Sequence, residues 1–184
     1  IIEVKTEHPF VDLQLFKYFN FSLSTLTLVL YGLTFYSSAF LLPILLVNLM
    51  DYTVLQLGLM MVPCSISSSI LLLTSGWMAD RWDSRYLIAL GLVFGFLSML
   101  MQSSISYQTS AAAIVFMLVL RGAGTGMLFT PLTKVAMRGI PAGKTGMASG
   151  YLMLLLVIGG SFGIAIFIFQ AGLKTLLSSS IYFI

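Results

Sequence analysis

The sequence predicts an all-α integral membrane protein, a helical bundle of about five transmembrane helices, on three observations. Hydrophobic residues make up 59% of the 184 positions and charged residues only 8%, with mean hydropathy +1.03. That balance leaves too few polar side chains to cover a surface in water. Several uncharged stretches reach the roughly 20 residues a helix needs to cross hydrocarbon, and none alternates in polarity over the ten or so residues of a transmembrane strand. The few charges gather at the ends of these stretches, above all in Gly76-Trp77-Met78-Ala79-Asp80-Arg81-Trp82-Asp83-Ser84-Arg85, which holds four ionised groups between two apolar spans.

Spans are expected at about 20–49, 54–78, 86–105, 111–133 and 146–170. Residues 1–19 form a cytoplasmic or interfacial lead-in. There His8-Pro9 reads as a helix start, and Phe10, Leu13, Phe16 and Phe19 lie in the interface opposite Asp12 and Lys17; an ordinary linker fits equally well. Residues 171–184 are an external loop or the truncated start of a sixth span. The chain begins at Ile1 with no signal-peptide layout, as a piece of a longer polypeptide would. One cysteine, Cys64, excludes an internal disulfide.

Basic residues set the orientation. The turns after spans two and four carry Arg81, Arg85, Lys134, Arg138 and Lys144, whereas the turns after spans one and three carry none. The even turns and the N-terminal segment are therefore expected in the cytoplasm, with Asp51 and Tyr107 outside. The net charge of +3 reports this topology, and no nucleic-acid partner is expected.

Polar groups within spans are candidates for a cavity or for helix contacts. Span one carries Ser24, Thr27, Tyr31, Thr34 and Ser38 at alternating spacings of three and four, one helical stripe that Asn48 extends. The stripe faces a cavity, or its hydroxyls bond nearby carbonyls. Span two has Pro63, Cys64, Ser65, Ser67, Ser68 and Ser69 at its middle, a bent helix with a small-residue face. Span three is large and apolar apart from Gly91, Gly95 and Ser98, as befits a peripheral helix. Span four holds Arg121 near its midpoint, where an arginine costs roughly 2.5–3.5 kcal/mol on insertion scales. None of the six acidic residues lies in a span interior; Arg121 is read as a cavity or substrate group in preference to a structural arginine bonded to backbone carbonyls. Gly122, Gly124 and Gly126 follow it, and span five repeats small residues at Gly146, Gly150, Gly159, Gly160 and Gly163, a pattern for close helix packing. No nucleophile with a base, no metal cluster and no phosphate loop is present in the sequence: Gly122-xx-Thr125 and Lys144-Thr145 lack the spacing. No enzyme activity, metal or cofactor is expected.

These residues resemble the major facilitator superfamily, and within it the EmrB/QacA-type fourteen-helix drug:proton antiporters. Phe10-Val11-Asp12-Leu13-x-Leu15-Phe16 is similar to the segment leading into the family's C-terminal half. Leu42-Pro43, Asp51-Tyr52-Thr53 and Gly58-Leu59-x-x-x-Pro63 resemble its next helix pair. Gly76-x-x-Ala79-Asp80-Arg81-x-x-x-Arg85 is similar to the superfamily's signature loop. Arg121-Gly122-x-Gly124-x-Gly126, Pro131, Pro141, Ala148-Ser149-Gly150 and Gly159-Gly160-Ser161-x-Gly163 resemble the following pair. The sequence departs from the pattern at Asp83, where the signature has glycine, at Ser84, where it has a basic residue, and at Met153 and Leu156, where the family often has asparagine and arginine.

The resemblance implies five of the six helices of a C-terminal half, packed beside a missing N-terminal half of the same polypeptide around a central cavity. It implies secondary active efflux of drug-like or amphipathic compounds by proton antiport with alternating access, with the proton gradient as driving force and the proton carrier in the absent half. It implies a gate latch at the signature loop: Gly76 allows close approach, Asp80 accepts from backbone N–H groups at a neighbouring helix N-terminus, and Arg81 and Arg85 pair with Asp83 and lipid phosphates. The implied partners are the bilayer of the plasma or bacterial inner membrane and a small-molecule substrate. An EmrB-type pump would add a periplasmic adaptor and an outer-membrane channel. A metabolite symporter or uniporter of the same superfamily, or a non-transporting membrane fragment with a scaffold role, are the alternatives.

Overall fold

Three helices of the chain start where a side chain takes over an orphaned backbone donor. In a computed structural model, which describes residues 13–106 and 108–181, a 3-10 turn at Leu13–Lys17 leads into five α-helices: α1 (Phe19–Met50), α2 (Val54–Arg81), α3 (Ser84–Ser103), α4 (Ala111–Ala136) and α5 (Thr145–Ile181). No strand occurs among the described residues. Thr53 caps α2 reciprocally, its Oγ1 accepting from Gln56 N at 3.4 Å while Gln56 Oε1 accepts from Thr53 N at 2.9 Å. Asp83 and Ser110 accept from the first turns of α3 and α4. Asp51, at φ 53°, turns the chain between α1 and α2, and Gly139, at φ 87°, follows α4; the glycine takes that conformation without the cost a Cβ would carry.

All five helices are long and apolar enough to cross a membrane, so the protein is multi-pass. Their limits differ from the expected spans by a few residues at most ends, and two of the differences matter. α2 runs on to Arg81, so the charged segment is mostly helix, and only Trp82 and Asp83 lie between α2 and α3. Long charged side chains reach water from a helix that is still in the interface, so charge alone does not end a helix. Residues 171–181 continue α5 and form neither a loop nor a separate sixth helix. His8, Pro9, Phe10, Asp12 and Tyr107 lie outside the described residues.

The chain divides into two compact units, one taking residues up to Leu42 and from Gly139, the other Pro43–Arg138. In the first, α1 and α5 meet through glycines. A Cβ at Gly159 would lie 2.5 Å from Val29 O, and one at Gly32 or Gly163 would strike the carbonyl of Leu156 or Leu33. Phe16, in the lead-in turn, packs edge-on to Phe21 and Tyr151. In the second unit, α4 lies between α2 and α3, which touch each other little. Ala79, Leu87 and Met127 form a buried core cluster there, flanked by Leu71, Met78 and Phe94.

Candidate functional site: α4 and the α2–α3 turn

The glycines after Arg121 divide between two faces of α4. At 3.6 residues per turn, Gly122 and Gly126 share a face and Gly124 lies about 200° round from Gly122. A Cβ at Gly122 would run into Cys64 O of α2, and one at Gly126 would sit 2.6 Å from Ser68 O. A Cβ at Gly124 would instead sit 2.8 Å from Gly95 N and 2.9 Å from Gly91 O of α3. One three-glycine run thus brings two neighbouring backbones against α4, the approach that small residues permit in lipid. Gly91 and Gly95 complete the α3 contact.

Hydroxyls join these backbones. Ser67 Oγ donates to Val119 O at 3.0 Å, Ser75 Oγ to Gly126 O at 2.9 Å, and Ser98 Oγ to Met117 O at 3.1 Å. Ser75 and Ser98 are buried, and each gains a carbonyl acceptor that hydrocarbon could not supply. The sequence marked Ser67 and Ser98 as small residues but gave no sign of their acceptors, and Ser75 was passed over.

Arg121 sits on this helix at 8% exposure. The residue is engaged inside the protein, and its carbonyl accepts from Thr125 Oγ1 at 3.0 Å. Cys64, the half-buried cysteine of α2, is an electrostatic neighbour of Arg121. A buried arginine on a glycine-packed helix is a fixed positive charge. It can orient an anionic or polar group, but it cannot shuttle a proton at ordinary pH.

At the α2–α3 turn the ionised groups are arranged differently from the expectation. Asp80 pairs with Lys134 of α4, Nζ to Oδ1 at 2.5 Å, rather than with backbone N–H groups. The same ammonium donates to Ala79 O at 2.7 Å. Lys134 therefore ties the last turn of α2 to the last turns of α4. The sequence offered it only as a topology marker, because a pair 54 residues apart needs tertiary placement to be seen. Asp83 does not pair with Arg81 or Arg85; its carboxylate accepts from Arg85 N at 3.2 Å and caps α3. The departure from glycine at this position thus supplies an N-cap, and Ser84 beside it is buried. Arg81 stacks on Trp77, its Cζ 4.1 Å from the ring centroid. Gly76 is not the point of closest approach: a Cβ there would meet Thr130 Cγ2 at an ordinary 3.6 Å. Ser75 and Ala79 beside it are buried, and Ser75 bonds across to α4.

The hydroxyl stripe of α1 is mixed in surroundings. Ser24 is buried, Thr27 Oγ1 donates to Leu23 O at 2.9 Å, and Thr34 Oγ1 donates to Tyr31 O at 2.9 Å. Tyr31 and Ser38 are also engaged, while Asn48 is exposed. In α5, Gly159, Gly160 and Gly163 lie against α1, Gly160 facing the Tyr36 ring. A Cβ at Gly146 or Gly150 would meet no other element within 4 Å among the described residues. The contact expected of Gly150 is therefore absent there, because its face of α5 is exposed. Leu156 packs at Gly32, and Met153 is exposed. No group of three potential metal ligands occurs among the described residues.

The model of the Major Facilitator Superfamily matches residues 3–164. The chain is 32% identical over 165 residues to the multidrug resistance protein Stp of Mycobacterium tuberculosis, covering 90% of this chain and 30% of Stp. It is 29% identical to the uncharacterized MFS-type transporter YhcA of Bacillus subtilis, over 88% of this chain and 30% of YhcA. With the multidrug export protein EmrB of Escherichia coli K12 the identity is 27%, over 89% of this chain and 32% of EmrB. The chain thus spans about a third of the length of the curated relatives it matches. A family match that runs through the signature turn and the glycine-rich α4 makes this chain a member of the major facilitator superfamily.

Proposed function

We propose that this transporter chain serves secondary active efflux of drug-like or amphipathic compounds, driven by proton antiport through alternating access, as the C-terminal part of a longer protein. The observation that carries the proposal is the likeness, along about 90% of the chain, to proteins named for multidrug resistance and export. The site supports it in kind. A buried cation at the middle of a tightly packed helix suits substrate orientation, and Arg121 is assigned that role; the α1 stripe, in the other unit, is assigned separately to a cavity wall. Apart from Asp80 in the last turn of α2, the described spans hold no carboxylate, so proton transfer is assigned to the part of the protein outside this chain.

The turn between α2 and α3 and the Lys134 end of α4 are placed on the cytoplasmic side with the N-terminal segment, by the clustering of basic residues there. The Asp80–Lys134 pair then ties α2 to α4 at the cytoplasmic gate. If the pump is of the EmrB kind, a periplasmic adaptor and an outer-membrane channel would complete it.

The test is accumulation of a fluorescent cationic drug in cells with and without the complete protein, repeated with a proton uncoupler. Lower accumulation that the uncoupler abolishes is the expected result. Accumulation unchanged by the protein, or lowered equally with the uncoupler present, contradicts proton-driven efflux and leaves metabolite transport in its place.

A further inference from the structure

We infer that the ends of α3 and α4 nearest their connecting turn hold a binding site for an uncharged amphipathic small molecule. Its apolar body lies between the helices and its one hydroxyl or carbonyl at the turn. A cavity of about 390 Å³ stands there, walled by Leu100 and Met101 of α3 and by Ala113, Ile114 and Met117 of α4. Its volume falls in the range of small-molecule sites, roughly 300–1,000 Å³. The cavity begins where the glycines run out. Gly91, Gly95 and Gly124 bring α3 and α4 to backbone contact, and Ser98 Oγ donates to Met117 O at 3.1 Å. Beyond that bond, toward the turn, neither helix has a glycine, and larger side chains hold the backbones apart.

No charged residue lines the cavity, and none occurs in the sequence between Arg85 and Arg121. An ion entering it would give up its hydration without meeting a counter-charge, so the ligand is neutral. Water is a poor occupant as well, because apolar cavities stay dry and accept apolar guests. Ser104 and Thr109 complete the lining at the turn. Thr109 Oγ1 accepts from Ser106 N at 2.9 Å, which leaves its hydrogen to donate. Ser104 Oγ donates to Leu100 O at 3.3 Å, which leaves its lone pairs to accept. The two together suit a single hydroxyl or carbonyl. Met101 and Met117 are unbranched and polarizable, so the wall adapts to guests of different shape. A phospholipid is the poorer occupant, since its phosphate would find no cation in this turn. The inference rests on α3, α4 and their turn, not on the substrate or direction of transport.

The complete protein, in phosphatidylcholine nanodiscs, is irradiated with a diazirine-bearing octanol, and the labelled positions are quantified by mass spectrometry. Label at residues 100–117 should saturate and be displaced by unlabelled octanol. Label on the exposed α2 residues Val62, Ile66 and Leu73 should instead rise in proportion to dose. A113F sets a ring in the cavity, and label at residues 100–117 should fall about tenfold there. T109V, which keeps the shape and removes the donor, should lower it by less, about threefold. Label at residues 100–117 that is absent, or that rises with dose and resists competition, overturns the site. So does label undiminished in A113F. Exclusion of the octanol by a phosphatidylcholine that itself labels the cavity from a diazirine in its tail overturns the small molecule as occupant. Should A113F fail to insert, saturation and competition in the unmodified protein decide.

Discussion

α2 and α4 are alike in apolar character, yet 56% of the most apolar stretch of α4 is buried within the protein and only 6% of that of α2. What separates them is where small residues fall. α4 presents Gly122 and Gly126 to one neighbour and Gly124 to another, so two helices come to backbone contact with it. On α2, Gly58 has nothing within 4 Å, and Val62, Ile66, Ile70 and Leu73 are exposed. In lipid, hydrophobicity does not drive helices together, because the tails are as apolar as the side chains; shape and hydrogen bonding do. α4 is therefore the member on which α2 and α3 are assembled, and it carries the buried charge.

The contrast is broken most severely at Gly124. Leucine there must place its Cβ within 3 Å of Gly95 N and Gly91 O; such overpacking costs about 3 kcal/mol. The G124L protein should lose most of its folded yield by size-exclusion profile, and a normal profile with an unchanged melting temperature would remove α4 from its central place. Next in size is D80N. The pair it breaks is 39% and 73% exposed at its two side chains, so stability should change by less than about 1 kcal/mol. Efflux should fall about tenfold, in the range of ordinary conformational coupling, and the D80K/K134D swap should recover part of it. Unchanged flux in D80N would make the pair a surface ornament.

Smaller again is S75A, which deletes the bond to Gly126 O. Interhelical hydrogen bonds in membranes average about 0.6 kcal/mol, so a small drop in melting temperature is expected; no drop would show that packing alone holds α2 to α4. Smallest is G58A, on an open face. It should be neutral or stabilising by up to about 1 kcal/mol, since alanine is the better helix former. A loss of stability there would mean that an unseen surface packs on α2.

The five crossings were legible in the sequence because length and apolarity alone specify them. The division of labour within α4 was partly so: the spacing of Gly122, Gly124 and Gly126 encodes two opposed faces, although which helix meets each face is a tertiary fact. The end of α2 was misjudged because Asp80 and Arg81 look like loop residues, yet the backbone stays helical through Arg81, and only Trp82 separates it from the Asp83 cap of α3. The Asp80–Lys134 pair was hidden for another reason. Asp80 had closer candidate partners in sequence, and only the parallel ends of α2 and α4 bring Lys134 to it. On α1 the even spacing of hydroxyls suggested a single environment. Thr27 and Thr34 instead bond to carbonyls of their own helix, which any helical threonine can do whatever it faces.

The most direct test of α4 as the functional centre is proton-driven efflux by the complete protein carrying Arg121→Ala, set beside Gly58→Ala at matched membrane content. Efflux lost in the first and retained in the second is the expected result. Full efflux by the stably inserted Arg121→Ala protein would contradict the role assigned to that buried charge.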